Sequence, residues 1–87
     1  MRALIVDDEP VAREVLRDYL DEIPDVEVIG ECASGDEALA RVLDSHPDLL
    51  FLDQEMPGLT GVALARSLKE PKPVVVFVTA YEQHALE

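Results

Sequence analysis

Basic residues are scarce in this chain, and their scarcity excludes several kinds of partner. Seven Lys and Arg stand against 19 Asp and Glu among 87 residues, which gives a formal net charge of −12 at pH 7. A surface of this charge repels phosphate backbones and anionic lipids, so we expect no direct nucleic-acid contact by this segment and no membrane association. A cationic partner, or a divalent metal ion in an acidic pocket, suits the charge better.

Cysteine and long apolar runs are also nearly absent. The single cysteine, Cys32, excludes an internal disulfide, agrees with a reducing cytosol and is expected to be a small packing residue. The apolar start at 3–6 stops at Asp7, and no apolar stretch approaches the roughly 20 residues that span a membrane. We therefore expect a cytoplasmic chain. It would form one domain, because 87 residues fall below the usual ~100–200 per domain.

Three short apolar runs are each followed at once by a side chain that carries oxygen: 3–6 by Asp7 and Asp8, 49–52 by Asp53, and 74–78 by Thr79. Unbroken aliphatic runs of this length are typical of strands buried on both faces of a parallel sheet. Ligands of such sheets bind outside the carboxyl ends of the strands. The sequence therefore predicts that three carboxylates and a hydroxyl meet at one edge of one sheet.

Helical patterns separate the predicted strands. Pro10 suits a first helical turn, and Ser34 with Glu37 has the spacing of a capping box, while Thr60 can cap a third helix. A fourth strand, at 26–31, alternates apolar and charged positions at its start and is predicted at a sheet edge, more exposed than the others. The order β-α-β-α-β-α-β, followed by the start of a helix at 81–87, predicts right-handed crossovers and a parallel sheet.

Two side-chain predictions concern the first helix. Apolar residues recur there at helical spacing, so we expect Tyr19 in the core with its neighbours in the pattern: Val15, Leu16, Leu20 and Ile23. Arg13 and Arg17 are expected to lie on solvated helix faces or in local ion pairs.

The carboxylates of Asp7, Asp8 and Asp53 are hard oxygen ligands of the kind that Mg²⁺ prefers. A carboxylate beside a bound Mg²⁺ can attack a phosphoryl group, and the hydroxyl of Thr79 could then bind a phosphoryl oxygen of the product. Aspartates after strands are also frequent as helix caps and turn residues, and any one of these alone is more often structural. The three together, with Thr79, favour a site.

Three segments resemble the receiver domain of two-component response regulators: Leu-Ile-Val-Asp-Asp-Glu-Pro at 4–10, Leu-Asp-Gln-Glu-Met-Pro-Gly-Leu-Thr-Gly at 52–61, and Val-Thr-Ala at 78–80. The resemblance implies an α/β, flavodoxin-like fold of three α/β/α layers around a parallel sheet in the order 2-1-3-4. It further implies that 1–87 is an incomplete receiver domain. The missing parts would be a fifth strand, whose lysine binds the phosphoryl group, and the last helix or helices.

The resemblance also implies a role for each matching position. Asp53 would accept a phosphoryl group from a sensor histidine kinase and, with Asp8, bind Mg²⁺ (or Mn²⁺) directly. Asp7 would contact the metal through water, and the Glu55 backbone carbonyl would complete the metal site. Thr79 would be the switch hydroxyl. The side chains of Glu55 and Tyr81 would tune dephosphorylation. Such a domain is not an enzyme beyond its own phosphorylation and dephosphorylation.

The segment 77–87 is similar to receivers that precede LytTR-type DNA-binding domains, which implies a transcription regulator for the intact protein. Two alternatives stay open. One is a phospho-independent dimerisation or interaction module of the same fold, and the other is a phosphohydrolase with an aspartate nucleophile. We also expect the chain to form a homodimer or a domain-swapped or edge-paired oligomer through 74–78, because unpaired strand edges recruit partners.

Overall fold

The computed structural model describes residues 1–54, 56, 60–70 and 72–78, and these residues alternate between strands and helices. The elements are β1 (Arg2–Val6), α1 (Pro10–Asp21), β2 (Glu27–Cys32), α2 (Gly35–Ser45), β3 (Leu49–Asp53), α3 (Gly61–Ser67) and β4 (Val74–Val78). This is the predicted order of elements. The helix predicted at 81–87 lies outside the described residues.

The four strands form one parallel sheet in the order β2-β1-β3-β4. Val6 of β1 lies opposite Leu52 of β3, and Leu52 lies opposite Phe77 of β4. The order 2-1-3-4 is the one that the resemblance implied, and it places β2 at an edge as predicted. Because β1 and β3 are neighbours in register, their carboxyl ends leave the sheet side by side.

The helices begin where the sequence places their start signals. The Ser34 hydroxyl accepts a hydrogen bond from the Glu37 backbone N–H at 3.2 Å, and the Glu37 carboxylate accepts one from the Ala33 N–H at 2.7 Å. Thr60 caps α3 in the same way, through the Ala63 N–H at 3.1 Å. Each bond satisfies a donor that a helix start would otherwise leave unpaired. Within the described ranges, every helix is too short or too polar to cross a membrane.

The main core lies between one face of the sheet and the helices α2 and α3. Alternate residues of β1 and β3 enter this core: Leu4, Val6, Leu50 and Leu52. They pack with Ala38 and Val42 of α2 and with Leu64 of α3. The intervening residues of β1, Ala3 and Ile5, are buried as well and face the opposite side, where α1 packs against β1 and β2. Helices on both faces give the three α/β/α layers.

The prediction that Tyr19 lies in the core is wrong. Its side chain is 67% exposed, and Val15 and Ile23 of the same apolar stripe are exposed as well, whereas Leu20 is buried. The spacing of these residues places them correctly along one stripe of α1. However, α1 covers only β1 and β2, so only the part of the stripe that points at those strands is buried.

The prediction that β4 is buried on both faces, and that β2 is the more exposed edge, is also wrong. Val74 is 60% exposed and Val76 and Phe77 are each 38% exposed, while β2 is mostly half-buried. β4 is exposed because it is the second edge strand of the sheet. Helix α1 packs on β1 and β2, which lie at the opposite edge. Val75 does pack against the main core.

Candidate functional site

Two acidic residues meet because their strands are neighbours. Val6 and Leu52 lie opposite each other, so the chain continues directly into Asp7 from β1, while Asp53 is the last residue of β3. The Asp7 backbone N–H donates to the Cys32 carbonyl at 3.0 Å, which extends the pairing of β1 with β2 by one residue. Asp7 therefore leaves the sheet from a fixed position.

The loop after β1 is ordered by the side chain of Asp7 itself. Its Oδ1 accepts a hydrogen bond from the Glu9 backbone N–H at 2.9 Å, which is the local turn that an aspartate favours before a helix. Glu9 is the N-cap of α1 without a side-chain cap, and Pro10 opens the helix. This turn leaves Asp8 exposed at its tip, between Asp7 and Glu9.

The carboxylates of Asp7, Asp8 and Asp53 converge. Each offers one oxygen, and these oxygens all lie within 4.8 Å of one another. An octahedral Mg²⁺ with ligands at about 2.1 Å could bind two of these carboxylates directly, and the third lies close enough to reach the ion through a metal-bound water. The exposed side chain of Asp8 leaves room for the waters that Mg²⁺ retains. The donor set and its spacing therefore fit Mg²⁺, and Mn²⁺ accepts the same ligands.

The pKa of Asp7 is raised by burial and by the neighbouring carboxylates. Burial raises this pKa above its ordinary value of 3.8, and the hydrogen bond from the Glu9 N–H opposes the rise. The charges of Asp53 and Asp8, and a hydrogen bond with the Asp53 side chain, raise it further. Like charges at this distance favour the bound proton, and a bound cation would relieve the same repulsion.

The start of α3 packs closely against the backbone of Asp53. A Cβ atom placed on Gly61 would lie 2.5 Å from the Asp53 carbonyl oxygen and 3.0 Å from the Gln54 Cα, so only glycine fits there. Met56, in the connecting loop, is 2% exposed and belongs to the main core. Met56 and Gly61 therefore both pack closely against the fold near Asp53.

Three of the predicted site residues, Asp7, Asp8 and Asp53, are brought together by the fold. The other three lie outside the described residues: Glu55, Thr79 and Tyr81.

Cys32, predicted to be a packing residue, is buried beneath the site. Burial, with a smaller contribution from Glu37, raises the pKa of its thiol to about 11.

One residue beside the site was not recognised from the sequence. Arg13 was predicted only as a solvated or ion-paired position on α1. Its side chain is 18% exposed, and its guanidinium binds both the Glu31 carboxylate of β2 and the backbone carbonyl of Asp7. Helical spacing shows which face of α1 Arg13 occupies, but it cannot show that this face meets β2 and the loop.

The sequence matches the response regulator receiver domain over residues 3–87. It is 43% identical over 88 residues to the transcriptional regulatory protein BtsR of Escherichia coli K12, an alignment that covers all of this chain and 37% of BtsR. Two solved structures are similar, each at 33% identity and over 99% of this chain. The response regulatory domain of mrkE from Klebsiella pneumoniae has a TM-score of 0.86 over 72% of that chain. The response regulator domain of Thermotoga maritima CheB has a TM-score of 0.83 over 70%.

The chain spans 37% of the length of the curated relatives it matches first. Its strand order, its helices on both faces and its acidic sheet edge accompany a family match over nearly all of its residues. This chain belongs to the response regulator receiver domain family.

Proposed function

We propose that this domain accepts a phosphoryl group on Asp53 from a sensor histidine kinase, with Mg²⁺ bound beside it. The observation that carries the proposal is the convergence of the Asp7, Asp8 and Asp53 carboxylates at the carboxyl edge of β1 and β3. Three acids at one point are unfavourable unless a cation neutralises them or they react. A site for a metal and a phosphoryl group satisfies both conditions.

In the proposed reaction, a carboxylate oxygen of Asp53 attacks the phosphorus of a phosphohistidine. An O–P bond forms to Asp53, the P–N bond breaks, and the histidine nitrogen leaves with the electron pair and takes a proton. The fold supports this role because it holds the Asp53 backbone between β4 and Gly61, which limits where its carboxylate can lie when the donor arrives. The domain then catalyses only its own phosphorylation and dephosphorylation.

The residues that would hold the metal are Asp8 and Asp53 directly and Asp7 through water. When bound, Mg²⁺ offsets the negative charge on the transferring phosphoryl oxygens. The backbone carbonyl of Glu55 is proposed as a further ligand and the Thr79 hydroxyl as the switch that binds the phosphoryl group. Glu55 and Tyr81 are proposed to tune dephosphorylation.

The test is phosphorylation by a small acyl phosphate in the presence of Mg²⁺, followed by mass spectrometry. We expect one added phosphoryl group on Asp53, lost in Asp53→Asn and retained in Asp18→Asn, which removes an exposed carboxylate of α1. The intact protein should take the same group from its kinase. An intact protein without an adduct would contradict the proposal, and rapid turnover of unrelated phosphate esters would favour an aspartate-nucleophile phosphohydrolase.

We further propose that these residues form part of a longer cytoplasmic transcription regulator with a LytTR-type DNA-binding output. The support is the similarity of 77–87 to receivers of this class and the 43% identity to the transcriptional regulatory protein BtsR. The chain spans 37% of BtsR and 70–72% of two solved receiver domains. A fifth strand with its lysine and the last helix or helices would then complete the receiver. We propose that the output domain contacts the DNA, because a domain with a charge of −12 would repel the phosphate backbone.

A second proposal, favoured by the exposed edge strand, is self-association through β4. Val74, Val76 and Phe77 are apolar and exposed on β4, which is an edge strand of the sheet formed by the described residues. Sedimentation should show dimers or larger species at high concentration, reduced in Val76→Lys and unchanged in Val11→Lys, an exposed position on α1. Dimers that persist in Asp53→Asn would indicate a module that works without phosphorylation, whereas a pure monomer would contradict pairing.

A further inference from the structure

We propose that Arg13 is a positioning residue for the acidic site, holding the loop that presents Asp7 and Asp8 in the geometry that Mg²⁺ requires. The inference deepens the proposed function and rests on the metal site proposed there. It assigns to Arg13 no contact with the metal or the phosphoryl group.

Arg13 bonds to both neighbours of Asp8, to Asp7 through its side chain and to Glu9 through the backbone hydrogen bond of the first turn of α1. Its guanidinium Nη1 donates to the backbone carbonyl of Asp7 at 2.6 Å, and its backbone N–H donates to the carbonyl of Glu9 at 3.1 Å. The backbone carbonyls on either side of Asp8, those of Asp7 and Glu9, therefore both accept hydrogen bonds from Arg13. Since the Glu9 N–H also binds the Asp7 carboxylate, the turn closes on itself around the exposed ligand.

The guanidinium is itself held in place from β2. Its Nε lies 3.3 Å from Glu31 Oε1, while Arg17 Nη1 binds the other carboxylate oxygen at 2.6 Å. The Arg13 side chain is 18% exposed, against 43% for Arg17, so Arg13 is the better shielded of the two. The planar guanidinium can bind two acceptors in fixed directions at once, which an ammonium cannot do. The Arg13 side chain thus links β2, through Glu31, to the backbone carbonyl of Asp7.

Arg17 provides a matched control. Both arginines bind Glu31 from α1, and replacing either by Met removes one positive charge while keeping an apolar stem and similar helix propensity. Of the two side chains, the one that reaches the Asp7 carbonyl is Arg13. Loss of the nearer positive charge alone would strengthen the binding of a cation, so weaker Mg²⁺ binding in Arg13→Met than in Arg17→Met reports the loop.

The experiment measures the Mg²⁺ dissociation constant of the full chain by titration calorimetry and the hydrogen exchange of the Glu9 amide by NMR. We expect Arg13→Met to weaken Mg²⁺ binding about 10-fold, as loss of a residue that orients metal ligands does, and to accelerate Glu9 exchange. Arg17→Met should stay within about twofold of the native chain in both, because the outer-shell bond to the Asp7 carbonyl is made by Arg13. Arg13→Lys, which keeps the charge but binds one acceptor, should fall between.

Equal effects of Arg13→Met and Arg17→Met would overturn the inference. Circular dichroism checks folding, and if Arg13→Met does not fold, Arg13→Lys and Arg17→Lys are compared by the same criteria. A native chain that binds no Mg²⁺ would contradict the proposed metal site. In that case the hydrogen exchange of the Glu9 amide still tests the role of Arg13. Unchanged exchange in the Arg13 variant would show that the loop does not depend on the Arg13 side chain.

Discussion

The carboxyl of Asp7 shows how a functional arrangement can oppose stability at a single residue. Its pKa is raised, first by burial and then by the charges of Asp53 and Asp8, against the hydrogen bond from Glu9. The folded state therefore holds this proton more tightly than the unfolded state does. The resulting stabilisation is complete below pH 3.8, the ordinary value, and is lost as the pH rises through the raised pKa.

Asp7→Asn should consequently be more stable than the native chain at pH 7 without Mg²⁺. We expect a gain of about 0.5 kcal/mol in the free energy of unfolding, kept small because solvent screens a half-exposed carboxyl. The gain should shrink as the pH falls through the raised pKa and be lost below 3.8, where the carboxyl is protonated in both the folded and the unfolded chain. Urea unfolding in the presence of a chelator measures it. Asp18→Asn is the control, and an equal gain there would show that only net charge matters.

Gly61 is the second single residue on which the site depends. Gly61→Ala would place a Cβ 2.5 Å from the Asp53 carbonyl oxygen, and neither backbone can yield without moving the other. We expect a loss of about 1–3 kcal/mol in the free energy of unfolding, as overpacking costs elsewhere. Gly30→Ala is the control, because its Cβ meets only the flexible end of Arg41. Chemical denaturation of both variants measures the difference, and similar losses would contradict the close approach.

At the scale of elements, the end of α2 departs from the usual choice of residue. His46 follows the helix with φ 47° and ψ 62°, the left-handed conformation that glycine adopts without cost. Its backbone N–H still donates to the Val42 carbonyl, and the Arg2 guanidinium donates to the carbonyls of Ser45 and His46. The hydrogen bonds of the helix end are therefore satisfied, while a residue with a Cβ atom is held in a disfavoured backbone conformation.

His46→Gly should stabilise the chain by about 0.5–1 kcal/mol, because removing Cβ strain outweighs the added entropy of the unfolded chain. Ser45→Gly, one residue earlier and still helical, should destabilise it by a similar amount. Thermal unfolding of both variants gives the comparison. Destabilisation by both would mean that His46 makes contacts that outweigh its backbone strain.

For the whole molecule, a net charge of −12 and three converging carboxylates predict that stability depends on divalent cations. At constant ionic strength, Mg²⁺ at ten times its dissociation constant should add about 1.4 kcal/mol to the free energy of unfolding. Constant ionic strength matters because salt alone screens the repulsion. Unfolding monitored by circular dichroism measures the gain. Asp8→Asn should lose most of it and Asp18→Asn should keep it, whereas equal gains would indicate screening and not a site.

Much of this molecule was predictable because its signals are local. The apolar runs of β1 and β3, the caps at Ser34 and Thr60 and the proline at the start of α1 each act within a few residues. They determine the order of elements, and the order predicts a parallel sheet. The juxtaposition of Asp7 and Asp53 followed from the strand order that the resemblance implied.

The sequence by itself determined which elements form, their succession and the acids at the strand ends, because backbone geometry and helix capping depend on neighbouring residues. Only the tertiary structure decided which faces meet. Tyr19 is exposed because α1 covers β1 and β2, and β4 is exposed because it is a sheet edge. Arg13 reaches Asp7, and Gly61 lies against Asp53, because elements distant in sequence pack together. No local pattern encodes those contacts.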